Sequence, residues 1–242
     1  MDSTDADYEA RIQQFLEKLN RIRQRYDDDE QLLVAPLEGL HYAFKSVRFV
    51  SRLHRELMSD TPNVEEAGYL AEAMVRSVHS AGDLLALVIV ECGFYTPGSN
   101  ELIGINTMAK KLSGPLQRKI EAFTRRPAWK YLNAFSNTSK HKAFIDRTYR
   151  PTADSHEILF RPFTDHWGKR HNRRSFGVVR GYTESVMAGV EGILDWLLLN
   201  HPPAPRQVRV DTLGPTYSSG VCATSSVPSL ADFTYRSHKL SD

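Results

Sequence analysis

Residues 62–92 set the strongest limit on what this chain can fold into. The segment reads as one helix that reaches about Cys92 and stops at Gly93. Its second half, through Leu84, Leu85, Leu87, Val88, Ile89 and Val90, is apolar on most sides. A helix of that kind has little to offer water, so other elements must surround it. Thr61-Pro62 marks its start, with a capping hydroxyl and then a proline at the first helical position. The neighbours are at hand. Residues 5–26 carry Tyr8, Ile12, Phe15, Leu16, Leu19 and Ile22 at three- and four-residue spacing, the mark of an amphipathic helix. A second helix runs to about Met58 with Leu33, Leu37, Leu40, Phe44, Val47 and Val50 turned inward. The acidic run Asp27-Asp28-Asp29-Glu30 is placed at its start, because negative charge is favoured at a helix N-terminus. Pro36 either kinks that helix or resets its beginning. Phe94 to Asn106, with Pro97, Gly98, Ser99 and Asn100, reads as loop. Helices follow over about 107–124 and from Pro127 to near Lys142, the latter carrying Trp129, Leu132 and Phe135.

The period then changes. Ala143–Arg150, His156–Phe163 and Ser175–Tyr182 are short, aromatic and β-branched, and separated by turn-type residues. They predict a small antiparallel meander with a basic connection over 167–174. A last helix, Thr183 to Asn200, places Val186, Val190, Ile193, Leu194 and Leu197 on one side and must return to the bundle to bury them. The expected fold is mainly α. It is an antiparallel helical bundle of five to six helices over residues 1–200, with a small antiparallel β insertion at about 143–182 before the last helix. Residues 201–242, rich in Pro, Ser and Thr, cannot bury enough surface to offset chain entropy and read as a flexible tail.

Charge separates the halves. Residues 107–180 hold seventeen Lys/Arg against five Asp/Glu, and residues 1–106 hold ten against eighteen, although the whole chain is only +2. Such a split suits a face built for an anionic partner, or two oppositely charged surfaces that meet in a homodimer. Other classes recede. The N-terminus is acidic and unlike a signal peptide. The run Leu84–Val90 falls far short of the roughly 20 residues that cross a bilayer. Cys92 sits in an apolar helix and Cys222 in the polar tail, so a structural disulfide is not expected and a reducing cytoplasm is. With no CxxC pair, and with Glu38-x-x-His41 standing as one half of a di-iron motif that has no second copy, no metal site is expected.

One compact polar cluster invites chemistry. Asn133, Asn137 and His141 lie four apart on one helix face, drifting by about 40° per step, with Lys140 beside them. The amides can donate and accept, and the imidazole can move a proton near neutral pH. The plainer reading is a basic helix end whose histidine caps carbonyls. His79 and Asp83, also four apart, form either an oriented histidine or a pair that satisfies itself. Beyond Lys142, a second basic group consists of Arg161, Lys169, Arg170, Arg173, Arg174 and Arg180, interleaved with Phe163, Trp167 and Phe176. Cations for phosphates and flat rings for bases suit single-stranded nucleic acid. A solvated hairpin, or docking on the acidic helices of a second copy, would account for the same residues.

The stretch Tyr131-Leu132-Asn133-Ala134-Phe135-Ser136-Asn137-Thr138-Ser139-Lys140-His141-Lys142 is similar to the Asn-x-x-Lys-His segment of bacterial helical proteins in the HEPN superfamily (higher eukaryote and prokaryote nucleotide-binding domains). Val78–Leu85 has a comparable look. The resemblance implies a helical bundle over residues 5–200, interaction with RNA or nucleotides through a basic face, no cofactor, and either metal-independent RNA cleavage or the inactive relative of such an enzyme. His141 would then transfer a proton and Lys140 steady the phosphorane, with Asn137 alongside. A second protonating group would come from His79, Tyr131 or a second copy. Ribonucleases of the superfamily carry an Arg four to six residues before the His on one helix. Here Asn137 stands in that place, while Arg150 and His156 have the count but are separated by Pro151. The alternative is a non-catalytic helical interaction module that self-associates or docks a protein partner. A third reading is a bundle enclosing a small-molecule pocket near His79.

Overall fold

The computed structural model describes residues 3–26, 31–58, 63–141, 145–151 and 156–202. Among them are α1 (Ser3–Tyr26), α2 (Val34–Leu57), α3 (Val64–Glu91), α4 (Ile105–Lys111), α5 (Gly114–Thr124), α6 (Pro127–His141) and α7 (Phe176–Leu199). Five short strands lie between α6 and α7: β1 (Arg147–Pro151), β2 (His156–Phe160), β3 (Phe163–Thr164), β4 (Arg170–His171) and β5 (Arg174–Ser175). The chain is thus a mainly helical bundle with a small antiparallel β insertion before its last helix, as the periodicity predicts.

α3 is the centre. Ala67, Ala71, Met74, Val75, Val78, Ala81, Leu85, Ala86, Val88 and Ile89 are all fully buried. α2 packs along it most extensively, and α7, α6 and α4 cover its other sides. By length and composition it is the one helix among the described residues that could cross a membrane, and 56% of that window is buried inside the bundle. Its start differs from expectation. Asn63 is the cap, accepting from the Glu66 amide at 3.2 Å while its own Nδ2 donates to Glu66 Oε2 at 2.8 Å. The first bond satisfies one amide that a bare helix end leaves open, and the second holds the capping side chain in place. Thr61 and Pro62 lie outside the described residues, as does the acidic run 27–30. Asn63→Ala is expected to lower stability by about 1 kcal/mol in urea unfolding, with the slope of the transition unchanged.

α2 begins at Val34, so Pro36 falls in its first turn, where a missing N–H costs no hydrogen bond. Pro36 therefore sets the start and does not kink the helix. The single helix expected over 107–124 is two. Leu112 and Ser113 are extended, and Gly114, at φ +75°, begins α5 with Pro115 in its first turn.

The largest correction concerns Ser175–Tyr182, expected as a strand. Only Arg174 and Ser175 pair with β2, and α7 starts at Phe176 with the Ser175 hydroxyl accepting from the Val178 amide. Phe176, Val179, Thr183 and Val186 are buried at helical spacing. Phe176 stacks on His54 of α2, ring centroids 3.7 Å apart, and the Thr183 hydroxyl meets Met74 Sδ of α3. This packing overrides the strand preference of Phe176, Val178 and Val179, which is weak and context-dependent. The sheet proper is β1-β2-β5, antiparallel, and β3 with β4 forms a separate hairpin. At the far end of α7, the Tyr26 hydroxyl donates to the carbonyls of Leu197 and Asn200 at 2.7 and 2.8 Å, and Arg25 donates to that of Leu198. The first helix thereby satisfies carbonyls that the last helix cannot.

Candidate functional site

α6 lies antiparallel against α3. Arg76 donates to the Ser139 carbonyl at 3.3 Å, His79 meets Asn133 further along, and Gly82 faces Trp129. Glu72, Arg76, His79 and Asp83 make one stripe on α3, spaced three and four apart. Against it α6 sets Trp129, Asn133 and Asn137, so a polar seam runs between the two helices. His79 Nε2 and Asn133 Oδ1 are 2.9 Å apart, and Asn137 Nδ2 donates to the same oxygen at 3.1 Å. That oxygen accepts, so Nε2 carries the imidazole proton and Nδ1 keeps its lone pair. Nδ1 is buried and meets no protein donor. The imidazole lies nearly parallel to the Trp129 indole, centroids 5.4 Å apart, and Trp129 Nε1 donates to Asn106 Oδ1 at 3.2 Å.

Burial pushes His79 below the usual histidine range. The Asn133 bond and the Asp83 charge oppose that push, and Lys140 adds to it. His79 is therefore neutral at pH 7. Asp83 opens to solvent on one side, but the protein packed behind it raises its carboxyl, against His79, Lys140 and the Ile105 amide. Lys140 is exposed and close enough to act on both groups. The seam thus holds a buried neutral imidazole and two amides, with an exposed carboxylate, Asp83, towards its Trp129 end and an exposed ammonium, Lys140, towards its Arg76 end.

Of the residues expected to carry chemistry, Asn137 and Lys140 belong to this seam. His141 is the last residue of α6, with its side chain outside the described part, and Lys142 lies outside the described residues. His79 and Asp83 make no mutual hydrogen bond, and His79 is bonded to Asn133. Arg150 and His156 occupy neighbouring strands, Arg150 opposite Glu157 and Pro151 opposite His156, so they form no helical pair. Among the described residues no cluster of three His, Cys, Asp or Glu side chains could hold a metal ion.

The basic segment is partly neutralised from within. Arg161 pairs with Asp146 at 2.9 Å, Arg150 with Glu157 at 2.8 Å, Arg180 with Glu184 at 3.6 Å and Arg125 with Glu121 at 2.9 Å. Arg174 is half-buried and donates to the Arg173 carbonyl. Lys169, Arg170 and Arg173 are exposed and make no ion pair with the described residues, and Trp167 beside them is 67% exposed. These four sit on or next to the β3–β4 hairpin, which packs on Tyr131 and Phe135 of α6. Asn133 and Asn137 project from the opposite side of that helix, roughly 120–160° away. Hairpin and seam are two places, not one.

Two features of the structure go beyond the sequence expectations. Asn106, expected in the loop, lies in the first turn of α4 and anchors Trp129, and nothing in its sequence surroundings marks it. Asp165 and His171 form a buried acid–imidazole pair, Oδ2 to Nε2 2.9 Å. Here a signal existed, because Asp165-His166-Trp167-Gly168 has Asp and Gly at the first and fourth positions of a tight turn. Comparison of the chain with protein-family models, with curated proteins and with solved structures finds no match in any of the three.

Proposed function

We propose that the protein binds RNA or nucleotides through cations of its later helices and β insertion, as a HEPN-like bundle, with the α3–α6 seam receiving a phosphate. One observation carries this reading: Lys140 is exposed on the face of α6 that carries Asn133 and Asn137, within electrostatic reach of His79 and Asp83. An ammonium there attracts a phosphate, and the amides can orient it. His141, the residue after Lys140, is the candidate for proton transfer. His79 is not, because its Nε2 is bonded to Asn133 and its Nδ1 is closed off from solvent. It positions Asn133 and Asn137. The chemistry needs a general acid–base and a cation, and a chain with Asn137 where the ribonucleases carry Arg supports the weaker form of the reading, binding without turnover.

The test is RNA binding and RNA cleavage in EDTA, for the wild type, Lys140→Ala and His141→Ala. Lys140→Ala is expected to weaken binding with thermal stability unchanged, and unweakened binding removes the seam from the proposal. His141→Ala is expected to abolish cleavage. Cleavage that continues in that variant ends the ribonuclease form. Binding without cleavage in the wild type leaves the non-catalytic form.

A further inference from the structure

The β3–β4 hairpin spends its polar groups on holding one exposed tryptophan. Asp165 donates its amide to the Lys169 carbonyl at 3.0 Å, and its own carbonyl accepts from Gly168 at 3.1 Å. Its carboxylate accepts from the amides of Trp167 and Lys169 at 3.0 and 2.9 Å through Oδ1, and from His171 through Oδ2. Gly168, at φ +82°, makes the left-handed step that closes the turn. Burial pushes the Asp165 carboxyl up, but these three donors outweigh it and hold the group below the usual carboxylate range. The base of the hairpin is equally fixed, with Phe163 stacked on His171 at 4.8 Å and the Tyr131 ring edge-on to both. What this frame presents is Trp167, its ring against that of His166 at 3.4 Å, flanked by Lys169, Arg170 and Arg173. The acid of the turn is consumed inside, so the outward charge is positive.

A large aromatic left in water gains nothing for folding, and a rigid turn lowers the ordering cost of whatever covers it. A flat ring among unpaired cations matches unpaired bases joined by phosphates. A duplex hides the base faces that the ring would cover. We infer that the hairpin tip is a stacking platform for single-stranded RNA, with Trp167 taking a base and Lys169, Arg170 and Arg173 the adjoining phosphates. This rests on the RNA reading above, but it uses the side of α6 opposite the seam, so the two can fail separately.

The experiment is fluorescence anisotropy of a labelled 12-nucleotide oligouridine, and of an RNA duplex of equal length, with the full chain across a salt series. Trp167→Ala is expected to weaken single-strand binding by about ten-fold and Trp167→Phe by much less, because any aromatic face can stack. Lys169→Gln/Arg170→Gln/Arg173→Gln is expected to make the log–log salt slope shallower by about 2, from three lost phosphate contacts. Trp167 and the three cations are exposed, so these variants keep the fold, which the thermal midpoint verifies. Equal affinity in Trp167→Ala overturns the platform. If Lys140→Ala weakens binding in the same assay, the seam survives that result. Duplex bound as tightly as the single strand also overturns it. A wild type that ignores both RNAs but shows a Trp167-dependent blue shift on vesicles rich in anionic lipid makes the tip a membrane contact and overturns both readings.

Discussion

Trp129→Ala is expected to destabilise the bundle by about 3–5 kcal/mol, among the largest effects of any single substitution. The indole is 2% exposed, tilted against Phe123 at 4.9 Å and stacked on His79, with its N–H bonded to Asn106. Its rim drops into a notch in α3. A Cβ added at Gly82 would lie 2.2 Å from Trp129 Cη2, so only glycine lets the two helices approach this closely. Gly82→Ala alone should therefore cost about 1–3 kcal/mol through overpacking. The two substitutions should not add. Removing the indole makes room for the methyl, so the double variant is expected to lie closer to Trp129→Ala than the sum predicts. Urea midpoints for the four proteins of this cycle decide it. Strict additivity would mean that Gly82 and Trp129 are not in contact, and the packing of α6 on α3 described here would be wrong.

Acid is expected to unfold the protein through His54. This side chain is 7% exposed, stacked on Phe176 at an interplanar angle of 5°, and its Nε2 has no hydrogen-bond partner. Burial first, and then Arg180, push its pKa down to about 4, with Glu157 opposing. In the unfolded chain the same imidazole takes up its proton near pH 6.5. Above that pH both states are neutral and His54 adds no pH dependence. As pH falls from 6.5 towards 4, only the unfolded state is protonated, so stability declines with acid. The total is roughly 3 kcal/mol over the window. His54→Phe keeps the ring stack and has no proton to gain. Its stability curve should be flatter between pH 6.5 and 4 than that of the wild type. An unchanged slope would show that His54 is hydrated or charged in the native state.

The helices were legible because each one hides a stripe. Ile12, Phe15, Leu19 and Ile22, or Leu37, Leu40, Phe44 and Val47, repeat at the spacing of a buried face, and all of them are buried. α3 is central because its second half is apolar on most sides. The strand mistaken for part of the meander shows where such reasoning stops. Phe176-Gly177-Val178-Val179 is β-rich locally, and what makes it helical is a partner 122 positions earlier, His54. The candidate site divides in the same way. The spacing of Asn133 and Asn137 puts them on one face, and they are on one. That this face meets His79, and that the cations after Lys142 belong to the other side of α6, depends on how the helix is rotated in the bundle. No local pattern encodes that rotation. Arg161 looked free in the sequence because Asp146, its partner, is brought to it by strand pairing.

The placement of α7 has a consequence for how the chain is made. α3 leaves the ribosome complete at Glu91, but the helix that covers its remaining side begins only at Phe176, 85 positions later. At about 5–20 residues per second, the nascent chain carries that uncovered apolar side for some 4–17 seconds. The clasp from Tyr26 and Arg25 to the end of α7 waits longer still, until the carbonyl of Asn200 has emerged. Synthesis therefore presents chaperones with a half-built interior, and a ribosome stalled within the β insertion would strand it there.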